Sequence, residues 1–343
     1  MLKKQILVID LRKLEEKINM KICTVVVTYN RYELLKECLD SLLNQTYKTD
    51  ILIVNNNSTD DTDTKIKEDK YLENENIIYK KLPKNLGGAG GFHFGVKFAQ
   101  DNSYDYVWLM DDDAEPELNT LEGLVKNIDD SKYSAYAPKL FIGTKEDNIL
   151  SLSGYGHRAM IDYYNCVPSF QKPIDQKEYQ KEKCEIEMAS FVGILIPLSS
   201  VKKIGLPEDR FFIHHDDTEY SLRLTSIGKI LMINSVNIYH KEKRQEEKTP
   251  RQFLWFKKNR IRFDKLWLKY FGLRNSIFLV LKYGKGYKRY FLIAKLYLEL
   301  IKDIILYDDK KYIRLVFATG SVFDGLRGTF DNDKPTKILK GKK

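Results

Sequence analysis

Three consecutive carboxylates, Asp111, Asp112 and Asp113, directly follow the apolar run of residues 106–110. An apolar run rich in β-branched and aromatic residues is typical of a short buried strand, whose interior does not hold three charges. The acids therefore belong at the carboxyl end of the strand, where open α/β sheets bind ligands. Side-chain alternation directs Asp111 and Asp113 to one side, and two hard oxygen ligands there suit Mg²⁺ or Mn²⁺ and a substrate phosphate. A solvated acidic loop or a helix start would contain the same residues, so this motif alone leaves both interpretations open.

A second acidic pair, Asp216 and Asp217, follows the apolar residues 211–213 and opens a helical pattern. The helix dipole accounts for part of this placement, because it favours carboxylates in a first turn. The functional interpretation is a general base, a carboxylate that takes a proton from an attacking hydroxyl group. His240 ends a strand-like run over residues 230–239. A single His there is usually structural, and the alternative is a nitrogen ligand that completes a Mn²⁺ shell.

A glycine-rich segment, residues 85–95, includes Gly87 and Gly88 and joins a predicted strand over 77–82 to a helix that runs to about residue 100. Glycines allow a backbone to approach a ligand closely, and a helix N-terminus favours anions such as a pyrophosphate. The segment matches neither a Walker A loop nor a dinucleotide-binding fingerprint. A flexible turn is the alternative to a phosphate-binding loop.

The order of the other predicted elements indicates an α/β fold. Apolar runs at 22–29, 51–54 and 77–82 alternate with helical patterns, and this alternation implies a parallel sheet with right-handed crossovers. Further strands are predicted over 133–142, 149–153 and 187–197, and a helix over 117–128 with Pro116 in its first turn. Residues 155–185 have no regular pattern and predict a flap or an acceptor-binding loop.

Composition limits the class of protein. The chain has 343 residues, enough for a full α/β domain and a second, smaller unit. Its four cysteines form no C-x-x-C pair, which favours a reducing compartment such as the cytoplasm. The charged residues 1–20 do not resemble a signal peptide, and no uninterrupted apolar run reaches the roughly 18 residues of a transmembrane helix.

Charge is divided unevenly along the chain, whose formal net charge is +9. Residues 241–343 hold about 27 Lys and Arg against about 11 Asp and Glu, or about +16, which leaves about −7 for the rest. A basic tail suits nucleic acid, anionic substrates or an anionic membrane surface. No nucleic-acid-binding motif is present, so nucleic acid is disfavoured. The basic helical patterns over 274–283 and 289–306 fit peripheral contact with the inner face of the plasma membrane, or an ordinary helical domain packed on the sheet.

Several motifs, taken in order, resemble family 2 glycosyltransferases with the GT-A fold over roughly residues 20–265. T-Y-N-R at residues 28–31 is similar to the opening nucleotide-site motif of that family. V-N-N-N-S-T-D at residues 54–60 is similar to the family's V-D-N-G-S-x-D, with Asn55 in place of the usual Asp and Asn57 in place of Gly.

The acidic clusters carry the same resemblance. D-D-D at residues 111–113 resembles the metal-binding D-x-D motif, and Asp216-Asp217 resembles the pair that carries the catalytic base in inverting members. His240 falls where some members place a further metal ligand. Within the family, the chain is most similar to galactofuranosyltransferases, and next to rhamnosyltransferases of bacterial surface polysaccharides.

The resemblance implies a Rossmann-like α/β fold: a mixed, mainly parallel sheet flanked by helices, with a C-terminal helical region. The expected divisions of the chain are an N-terminal extension at 1–20, a GT-A catalytic domain at 21–245, a basic helical region at 246–330 and a disordered tail at 331–343.

The resemblance also implies an inverting, metal-dependent transfer of a sugar, first of all galactofuranose from UDP-galactofuranose, to a glycan or lipid-linked acceptor in surface polysaccharide or capsule synthesis. Mn²⁺ or Mg²⁺ is expected on Asp111, Asp113 and His240. The expected base is Asp217, with Asp216 as the second choice. The residues expected to contact the nucleotide sugar are Thr28, Arg31, Asn55, Gly87, Gly88, Asp111 and Asp112. A homo-oligomer is compatible with the sequence.

Three alternatives remain open at this point. One is a rhamnosyltransferase that uses dTDP-rhamnose. Another is a non-catalytic nucleotide-sugar-binding subunit, which the substitution at Asn55 suggests and the intact acidic clusters disfavour. The third is a nucleotidyltransferase, which also uses paired Asp residues and Mg²⁺ on an α/β sheet and which the order of the motifs disfavours.

Overall fold

The computed structural model describes residues 20–144, 149–150, 156–241 and 248–340. Residues 1–19 of the expected N-terminal extension and residues 151–153 of a predicted strand therefore lie outside the described residues. Within the described ranges, no helix has the length and apolar character needed to cross a bilayer.

A mixed sheet forms the centre of the molecule, and smaller sheets and a hairpin lie beside it. The strands are β1 (Ile22–Thr28), β2 (Asp50–Asn55), β3 (Ile77–Lys81), β4 (Tyr106–Asp111), β5 (Ala114–Pro116), β6 (Tyr133–Ile142), β7 (Ile149–Leu150), β8 (Arg158–Ile161), β9 (Gln171–Lys172), β10 (Lys183–Ile186), β11 (Met188–Ala189), β12 (Ile194–Pro197), β13 (Lys229–His240), β14 (Lys248–Phe253) and β15 (Phe256–Ile261).

The central sheet has the strand order β10-β13-β6-β12-β4-β1-β2-β3, with β5 paired to β13 and β7 paired to β6. Strands β3, β2, β1, β4, β6 and β13 run in one direction, and β12 and β10 run in the opposite direction. A mixed, mainly parallel sheet is therefore confirmed. The carboxyl ends of the parallel strands lie at one edge, where ligands bind in folds of this kind.

Helices cover both faces of the sheet and form the C-terminal region. They are α1 (Tyr32–Leu43), α2 (Thr62–Glu68), α3 (Gly87–Asp101), α4 (Thr120–Lys126), α5 (Leu198–Ile204), α6 (Asp216–Leu224), α7 (Leu266–Tyr283), α8 (Lys288–Tyr307), α9 (Lys311–Arg327) and α10 (Lys334–Leu339). Strand β1 is buried at every position: Val26 faces one apolar cluster, and Val25 and Val27 face the other. Burial on both faces explains why this strand is apolar almost throughout.

The glycine-rich segment packs helix α3 closely against β1. A Cβ atom on Gly91 would lie 2.5 Å from Val27 Cγ1, and one on Gly95 would lie 2.2 Å from Val25 Cγ1. Gly88 differs, because a Cβ there would meet nothing within 4 Å. Part of the glycine run is thus explained by helix–sheet packing rather than by a phosphate-binding loop.

We expect Gly91→Ala to lower the free energy of unfolding by about 1–3 kcal/mol, because the added methyl group overpacks a filled interface. Gly88→Ala is the matched control in the same helix, and it should change stability by less than about 1 kcal/mol, in the stabilising direction, because Ala is the better helix former. Urea unfolding of both variants checks the prediction. Equal losses at the two positions would show that packing on β1 does not explain the glycines.

Two predicted elements between residues 114 and 197 are wrong in detail. Pro116 does not open a helix over 117–128; residues 114–116 form β5, in which Pro116 pairs with Ile238, and the helix covers Thr120–Lys126. The single predicted strand over 187–197 is two short strands, β11 and β12, in different sheets. In both cases pairing with a distant strand overrides the local pattern.

The C-terminal region is more ordered than the sequence predicts. Residues 248–261 form the hairpin β14–β15, where the expected basic helical region was to begin at residue 246. A disordered tail from residue 331 is also wrong for Lys334–Leu339, which form α10 with Pro335 in its first turn. Ile338 and Leu339 of this helix pack against the apolar cluster that contains Tyr270.

Candidate active site

The ends of β4 and β13 bring the first acidic cluster together with His240. Asp111 ends β4, and after Asp113 the chain turns back as β5, so that Ala114 pairs with His240 at the end of β13. The Lys241 N–H donates to the Asp113 carbonyl oxygen at 2.9 Å, which holds the two segments together. Residues far apart in the sequence thus form one site at the carboxyl edge of the sheet.

Asp111, Asp113 and His240 offer two oxygens and one nitrogen that all lie within 4.8 Å of one another. His240 Nε2 is 2.8 Å from Asp113 Oδ1 and 3.8 Å from Asp111 Oδ2. Carboxylates and an imidazole are a donor set that suits Mn²⁺, and carboxylates alone also serve Mg²⁺. The three residues that the sequence predicted as metal ligands are brought together in an arrangement that fits a divalent cation.

The protonation state of Asp113 also fits a ligand. Burial raises the pKa of this carboxyl, but the hydrogen bond and charge of His240, together with the charge of Arg31, outweigh burial and hold the pKa below its usual value. Asp113 is therefore ionised at neutral pH, as a metal-binding carboxylate must be.

Arg31 contacts the acidic cluster directly. Its Nη1 donates to Asp113 Oδ2 at 2.9 Å, while its Nε and Nη2 contact the two oxygens of Asp112. Asp112 is fully buried, and burial raises its pKa to about 7, although the Arg31 charge lowers it. The sequence predicted nucleotide contacts for both residues. In the structure the half-exposed Arg31 contacts Asp113 and pairs with the buried Asp112.

Thr28 and Asn55 lie at the ends of adjacent strands, β1 and β2. Thr28 lies beside Asp112 and lowers the pKa of that carboxyl by hydrogen bonding. Asn55 is buried: its amide donates to Tyr79 Oη at 2.6 Å and to Asp63 Oδ1 at 3.1 Å, and its oxygen accepts the Ser58 N–H at 2.7 Å. These bonds organise the loop after β2. Both amide hydrogens of Asn55 are donated to groups within the protein.

Contacts of Gly87 and Ala89 with Phe212 join the glycine-rich segment to the loop before the second acidic cluster. Gly87 has φ +72°, and a Cβ on it would lie 2.0 Å from the Phe212 carbonyl oxygen, so only glycine fits. The Ala89 N–H donates to that same oxygen at 3.1 Å, and the Asn56 amide donates to the Gly87 carbonyl at 2.8 Å. Gly88, beside this contact, faces open space.

The loop of residues 212–215 leads into α6 and places Asp216 and Asp217 in its first turn. Asp217 Oδ1 accepts the Thr218 N–H at 2.6 Å. The pKa of Asp217 is raised to about 7 by burial and by the charge of Asp111, against the lowering effect of the Thr218 N–H. Asp111 likewise contributes to the raised pKa of Asp216. The first acidic cluster is thus close enough to act electrostatically on the second.

Helix α7 of the C-terminal region holds this loop. Phe212, His214 and His215 all have positive φ angles of 66–69°, which residues other than glycine rarely adopt. The buried Asn275 amide donates to the carbonyls of residues 211, 213 and 214 at 3.1, 3.1 and 2.9 Å. The buried Arg274 adds a bond to the Phe211 carbonyl at 3.0 Å. These bonds compensate for an unfavourable backbone conformation just before the acidic pair.

Two residues near the site had no signal in the sequence. His157 lies in the segment predicted to be irregular, and its ring contacts the His240 ring edge-on with the centroids 4.9 Å apart. The buried Arg158 donates to the carbonyls of Pro138, His157 and Val192, and the Asp217 charge raises its pKa, although burial dominates and lowers it. Neither residue lies in a motif, so only the three-dimensional structure identifies them.

A family model described as glycosyl transferase family 2 matches residues 23–205, more than half of the chain. The chain therefore belongs to glycosyl transferase family 2. The match ends before Asp216, Asp217 and His240.

Among known proteins, the chain is similar to galactofuranosyltransferase GlfT1 of Mycolicibacterium smegmatis, with 28% identity over 207 residues. This similarity covers 60% of the chain and 66% of that relative, so the chain spans just under two thirds of the relative's length.

Solved structures show the same fold. The structure of GalNAc-T7 with UDP, GalNAc and Mn²⁺ superposes with a TM-score of 0.58 at 15% identity, covering 93% of this chain and 58% of that one. Staphylococcus aureus TarS 1–349 in complex with UDP-GlcNAc superposes with a TM-score of 0.53 at 13% identity, covering 94% and 93%. The GT-A fold that the sequence resemblance implies is confirmed.

Proposed function

We propose that this chain is an inverting, metal-dependent glycosyltransferase that moves a sugar from a nucleotide diphosphate to an acceptor hydroxyl group. One observation carries the proposal: two acidic clusters from different parts of the chain converge at the carboxyl edge of the sheet, close enough for Asp111 to raise the pKa of Asp217. One cluster has the composition of a cation site, and the other has a carboxyl group with the pKa of a general base. A transfer that expels a diphosphate while removing a proton requires both.

Asp217 is the base that this geometry favours over Asp216. Burial and the neighbouring Asp217 charge raise the pKa of Asp216 well above its usual value, which disfavours its ionised form. Asp217, with a pKa raised to about 7, is partly ionised there and strong enough to accept a proton. Two adjacent buried carboxyls do not both ionise readily. The difference in pKa between them makes Asp217, rather than Asp216, the proposed base.

Asp111, Asp113 and His240 would hold the divalent cation, with Arg31 fixing Asp113 from the other side. When bound, the cation supplies positive charge to a diphosphate whose negative charge grows as it leaves. Thr28 and Gly88 are proposed contacts of the nucleotide sugar, and the open space beside Gly88 supports this for the glycine.

The proposed reaction is a displacement at the anomeric carbon of the donor sugar. Asp217 takes the proton of the acceptor hydroxyl, and that oxygen forms a bond to the anomeric carbon of the donor sugar. The bond between the anomeric carbon and the diphosphate oxygen breaks with both electrons going to the leaving nucleotide diphosphate. Attack from the side opposite the leaving group inverts the anomeric configuration.

UDP-galactofuranose is the proposed donor, because GlfT1 is named as a galactofuranosyltransferase and shares 28% identity with this chain. The TarS and GalNAc-T7 structures contain UDP or a UDP-sugar, which supports a uridine nucleotide. The proposed acceptor is an oligosaccharide or a lipid-linked glycan of the cell surface, used by an enzyme that acts in the cytoplasm at the membrane.

A donor screen with the full chain, Mn²⁺ and acceptor glycans tests this assignment. We expect UDP-galactofuranose to give the fastest acceptor-dependent release of nucleotide diphosphate, ahead of UDP-galactopyranose and dTDP-rhamnose. Fastest turnover with dTDP-rhamnose would replace the donor assignment with the rhamnosyltransferase alternative.

Two other results would contradict the proposed class of reaction. Tight binding of UDP-sugars without turnover on any acceptor would indicate a binding subunit. Release of pyrophosphate from a nucleoside triphosphate, rather than of UDP from a nucleotide sugar, would indicate a nucleotidyltransferase.

A further inference from the structure

Helix α8 is a 20-residue helix in which only Ile293, Asp303 and Ile304 are buried. Its outward side, together with Tyr287 just before it, carries four large apolar residues with exposed fractions of 49–82%: Tyr287, Phe291, Leu298 and Ile305. Their spacings of four, seven and seven residues place them along one side of the helix. At 1.5 Å per residue the helix is about 30 Å long, so the exposed stripe is extended.

The tip of the hairpin β14–β15 is also apolar and exposed. Leu254 and Trp255 connect the two strands with exposed fractions of 61% and 77%, and Phe256 follows at 56%. Leu254 has φ +54°, a conformation for which such turns favour Gly, Asn or Asp. Local turn chemistry therefore does not explain the apolar side chains at this tip.

The hairpin is attached to the C-terminal end of α8. The Phe253 and Tyr307 rings meet edge-on with their centroids 6.2 Å apart. Arg260 of the hairpin donates to Asp303 at 3.0 Å and to Asp308 at 2.7 Å. The hairpin tip therefore lies near the C-terminal end of α8. We call the tip and the exposed stripe together the aromatic face: Leu254, Trp255, Phe256, Tyr287, Phe291, Leu298 and Ile305.

Basic residues surround the aromatic face. Exposed Lys288, Lys295 and Lys302 lie along α8, and exposed Lys257 follows the hairpin tip. The whole segment 241–343 has a net charge of about +16. Lysine is depleted at the cores of protein–protein interfaces, whereas surfaces that bind anionic lipids combine Lys and Arg with Trp, Tyr, Phe and Leu. The charge thus favours a lipid surface over a second copy of the chain.

We propose that the aromatic face docks this chain on an anionic lipid bilayer, with its apolar side chains in the headgroup region and the lysines of α8 next to lipid phosphates. Exposed apolar surface of this extent on a globular chain marks an interaction site, and its basic surroundings match an anionic leaflet. The docking rests on residues outside the two acidic clusters. Its test measures lipid binding, so it can fail or succeed independently of the proposed sugar transfer.

The full chain should co-sediment with vesicles of phosphatidylcholine containing phosphatidylglycerol, and much less with phosphatidylcholine alone. The double variant Leu254→Ser/Trp255→Ser should weaken binding to the mixed vesicles at least about tenfold, because it removes the apolar tip. Leu118→Ser, at a similarly exposed leucine in the catalytic domain, is the matched control and should bind as the wild type does.

The triple variant Lys288→Glu/Lys295→Glu/Lys302→Glu should weaken binding about 100-fold or more and remove its salt dependence. Its control, Lys67→Glu/Lys70→Glu/Lys203→Glu, changes the net charge equally at exposed lysines elsewhere and should cost far less. No binding of the wild type to anionic vesicles would overturn the proposal. So would equal losses in test and control variants, or a dimer in solution that Leu254→Ser/Trp255→Ser dissociates.

Discussion

Asp217→Asn is expected to lower the rate of sugar transfer by about 10²–10⁴-fold, the usual contribution of a positioned general base. The amide has the shape of the carboxyl and can still accept the Thr218 N–H that Asp217 Oδ1 accepts at 2.6 Å, so the loop should keep its conformation. It cannot take up the acceptor proton. Steady-state kinetics should therefore show a loss in kcat with little change in the affinity for the nucleotide sugar.

The pH profile gives a second readout of the same residue. Burial and the Asp111 charge raise the pKa of Asp217 to about 7, and the base acts when it is deprotonated. The value of kcat/KM should therefore rise with pH and level off above about 7. A cation bound at Asp111 offsets that negative charge, so saturating Mn²⁺ should move the acid limb to lower pH.

Asp101→Asn, at an exposed Asp on α3, is the matched control and should leave both rate and pH profile unchanged. Retention of wild-type kcat by Asp217→Asn, or a profile that stays flat from about pH 5.5 to 8, would remove Asp217 from the mechanism.

Asp113→Asn is expected to lower transfer by about 10²-fold or more and to weaken the binding of Mn²⁺, because it removes a charged oxygen from the centre of the cation site. Asp113 is the member of that site contacted by both His240, at 2.8 Å, and Arg31, at 2.9 Å. Calorimetric titration with Mn²⁺ measures binding without reference to activity. Thermal unfolding of the variant shows whether the loss of these two contacts also destabilises the fold.

Asp105→Asn makes the same change just before the amino end of β4 and should alter neither Mn²⁺ binding nor transfer. Undiminished Mn²⁺ binding by Asp113→Asn would contradict the assigned cation site. Full activity in the presence of a chelator would contradict metal dependence itself.

Local sequence patterns predicted the positions of both acidic clusters because each lies where a regular element ends or begins. Asp111 follows five apolar strand residues, and Asp216 opens a helix after an apolar tripeptide. A strand interior excludes such charges, so the carboxyl groups had to lie at the edge of the sheet. His240 could be anticipated for the same reason, as the last residue of an apolar strand.

The contacts that define the environment of these residues could not be predicted, because they join segments far apart in the chain. Nothing near Arg31 indicates that it pairs with Asp112 and Asp113. The glycine-rich segment was expected to let the backbone approach a ligand, whereas its Gly91 allows α3 to lie against Val27, a contact that depends on the packing of two elements. Pro116 has the sequence context of a helix start and instead extends a strand, because β13 provides a pairing partner.

The bonds from Asn275 to the loop before α6 bear on where this protein can be cut. A recombinant fragment ending near residue 245 would retain both acidic clusters, yet it would lack the amide that bonds the carbonyl groups of residues 211, 213 and 214. Helix α7 is therefore part of the structure that shapes the proposed site. The family match over residues 23–205 omits both the proposed base Asp217 and Asn275, so we expect a truncation designed from that segment to be inactive.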